Sequence, residues 1–277
     1  MSRSMIQAAV TMGQLQQKLD TIGHNLANSQ TTGYKSRQAE FSSLLFQQIE
    51  NLNHPANGTG RLTPDGIRIG SGARLGAINS NMNAGNIVTT DRMLDTALLR
   101  ENYFYQIQVT ENNVTEIRYT RDGAFYLSPI NDNGDLMLVT KDGHPVLGAN
   151  GPIVIEPGFD SIQIQDNGQI VVSRNGQTET AGSLSVVEIT RPRILEAAGN
   201  NMFRLPDLAA LGYAFGEIVQ APANIDGMLK SGALEQSNVD IAEQMSELIL
   251  TQRSYQFNAR TISTSDQMMG LINQLRT

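Results

Sequence analysis

Three histidines, His24, His54 and His144, are the only imidazoles in the chain, and imidazole is the usual choice for metal ligation or proton transfer near neutral pH. They fall on a predicted helix, a loop and a hairpin, so a shared metal site would need three distant segments to converge; the reading is that each is solvated or locally hydrogen-bonded. A pair of carboxylates could cleave a glycosidic bond, and Asp122, Asp132, Asp135 and Asp142 lie near one another. Each stands beside Gly or Asn at a turn signal, where Asp is favoured for its own backbone hydrogen bonding, and turn chemistry accounts for them. Without cysteine there is no thiolate nucleophile, thiolate metal site or disulfide. Gly70-Ser71-Gly72 with Gly76 matches a dinucleotide turn only loosely, since the third glycine is misplaced and no strand-turn-helix unit surrounds it. No nucleophile elbow, P-loop, zincin or kinase pattern occurs. Asn57-Gly58-Thr59 and Asn113-Val114-Thr115 match a glycosylation acceptor, a pattern that carries weight only in a eukaryotic secretory context. The expectation is a protein without catalytic residues, cofactor or metal, in which Tyr34, Lys35, Arg253 and Tyr255 are better read as contact residues.

Composition narrows the partners. The 277 residues carry a formal charge of −7 with no basic run, which argues against a nucleic-acid partner, because phosphate binding needs clustered Lys and Arg. Apolar residues make up 40% and aromatics 5%, with no Trp, so the core is expected to rest on Leu, Ile, Val and Met. Met1 to Asp20 lacks the charged and continuously apolar regions of a secretory signal, and no window approaches the ~20 apolar residues of a membrane span. The chain is therefore not expected to be an integral membrane protein, and an exported form would use a route that reads no cleaved signal.

The elements that must position the contact residues lie at the two ends. From Arg3 to Asn28 apolar residues recur at Met5, Ala8, Met12, Leu15, Leu19, Ile22 and Leu26, a 3,4 spacing that makes one helical stripe. Turn formers collect at Asn28, Ser29, Thr31, Thr32 and Gly33. A patch at Phe41, Leu44, Leu45, Phe46 and Ile49 reads as a second short helix or docking segment, and Asn53 to Gly76, rich in Gly, Asn, Pro and Ser, as a loop or extended connection. From about Leu75 to Val219 short alternating runs are divided by turn dipeptides at Asp122-Gly123, Asn133-Gly134, Asp142-Gly143, Asn167-Gly168 and Asn175-Gly176, which supply positive φ for tight hairpins and predict an antiparallel β body. Val239 to Arg276 is helical again, with an apolar seam through Ile241, Met245, Leu248, Gln252, Tyr255, Ala259, Ile262, Asp266, Met269 and Asn273 that drifts toward Met268, Ile272 and Leu275. The fold class is α+β: long terminal helices forming a coiled-coil-like pair or an assembly surface, with an inserted antiparallel all-β domain. The segments are 1–50 (helical), 51–76 (connector), 77–220 (β domain), 221–238 (connector) and 239–277 (helical). Terminal helices with more apolar face than each can hide either close an intramolecular hairpin or pack against other molecules, and a contact that does not close on itself builds a filament.

Leu19-Asp20-Thr21-Ile22-Gly23-His24-Asn25-Leu26-Ala27-Asn28 followed by Thr31-Thr32-Gly33-Tyr34-Lys35, together with Leu234-Glu235-Gln236-Ser237-Asn238-Val239-Asp240 and the run from Glu247 to Arg260, resembles the paired terminal signatures of the flagellar rod and hook family. Tyr119-Thr120-Arg121-Asp122-Gly123-Ala124-Phe125 and Asp142-Gly143-His144-Pro145-Val146-Leu147-Gly148 are similar to that family's β body. Where rod proteins usually show a G-x-G-F-F-like turn this chain has Leu99-Arg100-Glu101-Asn102-Tyr103-Phe104-Tyr105, so the local turn should differ. The resemblance implies a structural subunit of the flagellar basal body, exported by the flagellar type III apparatus, that polymerises with itself and with other rod or hook proteins and passes motor torque toward the hook. It implies an assembly interface at Met5, Met12, Leu19, Ile22, Asn25, Leu26, Asn28, Gly33, Tyr34, Met245, Leu248, Gln252, Arg253, Tyr255 and Ile262. The isolated chain is expected to be mostly monomeric, its terminal helices ordering on assembly. Other readings are a hook-type axial protein, a coil-tethered cell-surface adhesin, which predicts a ligand pocket in the β body, and a cell-wall carbohydrate enzyme, which predicts two carboxylates roughly 5 to 10 Å apart in a cleft.

Overall fold

A computed structural model describes residues 3–43, 46–49, 67–70, 73–130, 134–222, 225 and 227–276. The chain is α+β, with a helix near each end and mostly antiparallel strands between them. Helix α1 spans Arg3–Ala27 and is followed by β1 (Arg37–Ser43), β2 (Phe46–Ile49), β3 (Ile67–Gly70) and β4 (Ala73–Ser80). Then come β5 (Ile87–Thr89), β6 (Thr96–Leu98), β7 (Tyr103–Glu111), β8 (Val114–Thr120), β9 (Phe125–Pro129), β10 (Leu136–Thr140), β11 (Leu147–Gly148), β12 (Gly151–Pro152) and β13 (Val154–Ile155). The later strands are β14 (Ser161–Ile164), β15 (Gln169–Arg174), β16 (Gln177–Ser183), β17 (Val186–Ile189), β18 (Glu196–Ala197) and β19 (Met202–Arg204). After the one-turn α2 (Phe215–Ile218) the order closes with β20 (Val219–Gln220), β21 (Leu229–Ser231), β22 (Ala233–Glu235) and α3 (Ile241–Arg276).

These elements form two compact units, one of residues 1–26, 37–79 and 241–277, the other of 27–36 and 80–240. In the first, α1 and α3 are 25 and 36 residues long, about 37 and 54 Å at 1.5 Å per residue. All seven stripe positions of α1 are covered to some degree, with Ala8 and Ile22 buried. On α3 the least exposed face runs through Gln244, Leu248, Thr251, Tyr255, Ala259 and Ile262, while Ile241, Met245, Gln252, Asp266 and Met269 of the expected seam are exposed. The predicted short helix around Phe41–Ile49 is replaced by strand: β1 pairs with β4, and β2 pairs antiparallel with β3, Phe46 opposite Gly70. Leu44 and Leu45 lie outside the described residues, as do Asn57-Gly58-Thr59 and most of the Asn53–Gly76 connection, but β3 and the start of β4 fall within that connection. The physical reason is that Ile67-Arg68-Ile69 alternates with period two, a pattern that pairing can use whatever the surrounding Gly content.

In the second unit a six-stranded sheet runs β18-β19-β8-β7-β17-β20, flanked by the three-stranded sheets β13-β10-β9 and β14-β15-β16. Alternation along β7 divides the core. Tyr103, Tyr105, Ile107 and Val109 face a cluster with Phe125, Leu138, Ile164, Ile170 and Leu184; Phe104 faces the other way, onto Tyr119, Ile189, Phe203 and Ile218. The core thus leans on aromatics more than expected. Phe104 meets Phe203 edge-on at 5.9 Å, and Tyr105 meets Phe125 at 5.2 Å, because the few aromatic residues are concentrated on the central strands.

Hairpins at Asn167-Gly168 and Asn175-Gly176 form as the dipeptides predict; Arg174 sits opposite Gln177 with Asn175 and Gly176 at φ 50° and 79°, the two-residue turn with both central residues left-handed. Asp122-Gly123 does not make a hairpin. Strand β8 pairs with β7 and β19, and β9 pairs with β10, so residues 121–124 cross from one sheet to another. Gly123 serves a close approach instead, since a Cβ there would collide with the Thr96 carbonyl oxygen. At the glycine-free turn before β7, Asn102 supplies the left-handed φ of 64°, a conformation Asn tolerates better than other side-chain-bearing residues.

Candidate assembly site

Glu235, the last residue of β22, is the centre of a buried ion cluster. Its Oε1 accepts from Lys35 Nζ at 2.7 Å and from the Gly85 N–H at 2.8 Å, and its Oε2 accepts from Arg121 Nε at 2.8 Å. The side chains of Lys35, Glu235 and Arg121 are 1%, 0% and 0% exposed. Such a cluster survives burial only if the remaining polar atoms are satisfied. They are: Lys35 also donates to the Asn83 carbonyl at 2.6 Å, and the Arg121 guanidinium to the carbonyls of Arg100 and Tyr103 at 3.0 and 2.9 Å. Burial, reinforced by the neighbouring Arg121 cation, lowers the Lys35 ammonium to about 8. Burial alone would raise the Glu235 carboxyl, but Arg121 and Lys35 outweigh it and hold it below its ordinary value.

The backbone around the cluster is equally constrained. Gly33 donates its N–H to the Glu235 carbonyl at 2.7 Å. It has φ +65°, and a Cβ there would lie 2.7 Å from Arg121 C and Asp122 N, so this position needs glycine both for its torsion and for the contact. Thr32 donates to Asp122 Oδ1 at 2.9 Å, while its carbonyl accepts from Asn201 Nδ2 at 2.7 Å. Asn238 Oδ1 accepts the Ser36 N–H at 2.7 Å, and its Nδ2 donates to the Asn81 carbonyl at 2.8 Å. Asn81 N–H in turn donates to the Ser36 carbonyl at 2.8 Å. Segments 32–36, 81–85 and 235–238 are therefore fastened to one another and to residues 121–122. These segments lie next to three of the four points at which the chain passes to the other unit, 36/37, 79/80 and 240/241; the fourth is 26/27.

In the helical unit Asn25 is buried and spends its amide on the start of β1. Its Oδ1 accepts the Arg37 N–H at 2.8 Å, and its Nδ2 donates to the Arg37 carbonyl at 2.8 Å and to Gln244 Oε1 at 3.0 Å. Lys18 and Glu247 make a second contact between α1 and α3 at 3.3 Å.

Of the residues expected at an interface, Met5, Met12, Leu19 and Leu26 are half-buried and Ile22 and Asn25 buried in α1; Asn28 is half-buried in the turn that follows; and Gly33 and Tyr34 are buried in the β unit. On α3 Leu248, Tyr255 and Ile262 are half-buried and Met245, Gln252 and Arg253 exposed. Sequence reasoning singled out Gly33 and Lys35 but missed Glu235, Arg121 and Asn238. Their signal was a charged or amide side chain within otherwise apolar or turn-forming runs, which by itself does not distinguish a buried partner from a solvated one. Among the described residues no group of three His, Asp or Glu side chains is placed to hold a metal, and no helix is long and apolar enough to cross a membrane.

Comparison with known proteins places matches over the same segments. Residues 7–35 match the flagella basal body rod protein family, 101–172 the flagellar hook protein FlgE/F/G D1 domain, and 230–275 the flagellar basal body rod FlgEFG protein C-terminal family. Each segment contributes one member of the ion cluster, Lys35, Arg121 and Glu235 respectively. Over full length the chain is 42% identical to the flagellar hook-basal body complex protein FlhP of Bacillus subtilis, covering 100% of both chains. It is 34% identical to the flagellar basal-body rod protein FlgG of Borreliella burgdorferi (100% of this chain, 99% of the relative) and 33% identical to that of Caulobacter vibrioides (98% of each).

Proposed function

This chain belongs to the flagellar basal-body rod protein family and is a structural subunit of the bacterial flagellar basal body, and on that premise we propose that it polymerises through its terminal helices and carries motor torque toward the hook. Segments 1–50 and 239–277 are the assembly segments in this reading, and 77–220 is the body they carry. The flagellar export apparatus delivers the subunit, and its neighbours are itself and other rod or hook proteins.

The observation that carries the torque reading is the Lys35–Glu235–Arg121 cluster. A load reaching the β unit along its connecting segments is shared by charge-assisted hydrogen bonds between segments instead of peeling one strand at a time. The Asn25–Gln244 and Lys18–Glu247 contacts support an antiparallel approach of α1 and α3 at these residues, since moving backward along α1 goes with moving forward along α3. The exposed Met245, Ile249, Phe257, Leu271 and Leu275 leave apolar area on α3 for neighbouring subunits.

Deletion of the gene in its native host, with inspection of swimming and of purified basal bodies, tests this. The expected result is loss of swimming with truncated rods that lack hooks. Normal motility with intact hooks would overturn the reading.

A further inference from the structure

Residues 228–238, near the end of the β unit's chain, contain β21 and β22. Strand β21 pairs with β6 and β22 with β5, and neither β5 nor β6 has another strand beside it among the described residues. Between the two strands the Gly232 N–H donates to the Asp95 carbonyl at 2.8 Å, and the Gly232 carbonyl accepts from the Thr90 N–H at 2.7 Å. Beyond them the Gln236 N–H donates to the Asn86 carbonyl at 2.8 Å. The segment is thus strapped along residues 85–99. It gives the larger core cluster Leu229, with Met228 at the margin, while the smaller cluster is built from other parts of the unit. Tyr105, Ile107, Phe125, Leu138 and Ile170 therefore remain a packed group without it.

The strap and residues 33–36 depend on each other unequally. Residues 33–36 reach the strap through the Gly33 N–H on the Glu235 carbonyl, Lys35 on the Glu235 carboxylate and the Ser36 N–H on Asn238 Oδ1. Without the strap, Lys35 keeps the Asn83 carbonyl but stands near the Arg121 cation, whose effect on it exceeds that of the Glu101 carboxylate. A buried cation that has lost its carboxylate is strongly disfavoured. The strap without residues 33–36 keeps both strand pairings, and Glu235 keeps Arg121 on Oε2 and the Gly85 N–H on Oε1, each at 2.8 Å. Its carboxylate stays neutralised by one cation. Closing the strap also joins parts of the chain 114 positions apart at Arg121, so its release returns more chain freedom than the fraying of a local hairpin.

We propose that residues 228–238 open and close as one strap on an otherwise folded β unit, and that residues 33–36 seat only when the strap is closed. The turn after α1 is thereby locked from the far end of the sequence: in a chain made from its N-terminus it waits until residue 235 of 277 is present. The device stands independently of the polymerising role. Site-resolved amide hydrogen exchange of the full-length parent chain tests it without any variant. Gly232 and Gln236 report the strap. Gln108 and Leu138, whose N–H groups donate to the carbonyls of Pro145 and Ile153, report the core; Asn81, whose N–H donates to the Ser36 carbonyl, reports residues 33–36, since that acceptor is not on the strap. The expected result is equal protection at Gly232 and Gln236, about 100-fold below that at Gln108 and Leu138, with Asn81 protected no better than the strap. Strap amides as protected as Leu138, or protected unequally, overturn the joint opening. Asn81 protected more strongly than Gly232 and Gln236 overturns the dependence of residues 33–36 on the strap.

Discussion

The carboxylate of Glu235 lies 2.7 Å from the ammonium of Lys35, although the two residues are 200 positions apart. One carboxylate thereby receives a cation from the N-terminal signature and another, Arg121, from the middle of the chain.

Removing the charge of Glu235 should destabilise the β unit strongly. Glu235→Gln strands two cations in a site from which water is excluded, a loss of about 3–5 kcal/mol that should lower the melting temperature by roughly 10 °C. Glu116→Gln, on the exposed hairpin, serves as control and should melt like the parent. Equal melting of the two variants by circular dichroism would show that the cluster carries no stability.

The pH dependence has a definite sign. Lys35 is lowered from 10.5 to about 8 in the folded chain, so between those values the unfolded chain holds a proton that the folded chain has released, and stability rises with pH. Burial raises the Tyr105 phenol above its ordinary 10.0, so above pH 10 the unfolded chain ionises first and stability falls. Glu235, held below 4.5, loses its contribution as pH falls through the acid range. Denaturant midpoints should therefore climb from pH 8 toward 10 and then drop, and Lys35→Met should flatten the climb. A midpoint that falls steadily from pH 7 to 10 would contradict this.

Gly33→Ala and Gly212→Ala separate torsion from contact. Both glycines have positive φ, but Gly212 has nothing within 4 Å of its missing Cβ, whereas Gly33 meets the Arg121–Asp122 backbone. Gly212→Ala should cost about 1 kcal/mol. Gly33→Ala should cost several times more and abolish swimming in a complementation assay. Similar melting of the two would mean that residues 121–122 yield easily.

Asn25→Leu should act locally. It removes three hydrogen bonds and leaves both backbone groups of Arg37 without this partner, a cost of about 2 kcal/mol or more. Amide exchange at Arg37 should accelerate while the core amides of β7 and β8 keep their protection. Unchanged exchange at Arg37 would show that the β1 start does not depend on Asn25.

Residues close along the chain largely decided what was readable beforehand. The 3,4 spacing of α1 and the Asn-Gly turns of the β unit depend on residues a few positions apart, whose torsions and faces are set locally. The terminal signatures named the family for the same reason. Other features needed the tertiary structure. Asp122-Gly123 has the composition of a hairpin, but pairing of β8 with β19 and β9 with β10 made it a crossover. Phe41–Ile49 has apolar residues that suit a helix, yet β3 and β4 supplied strand partners. Glu235 in Leu234-Glu235-Gln236 looks like a solvated carboxylate in sequence, since nothing within a few residues reveals a partner. Arg121 and Lys35 lie 114 and 200 positions away, and only the topology that brings β22 beside both decides that this charge is buried and paired, because desolvation and Coulomb attraction depend on distance in space and not along the chain.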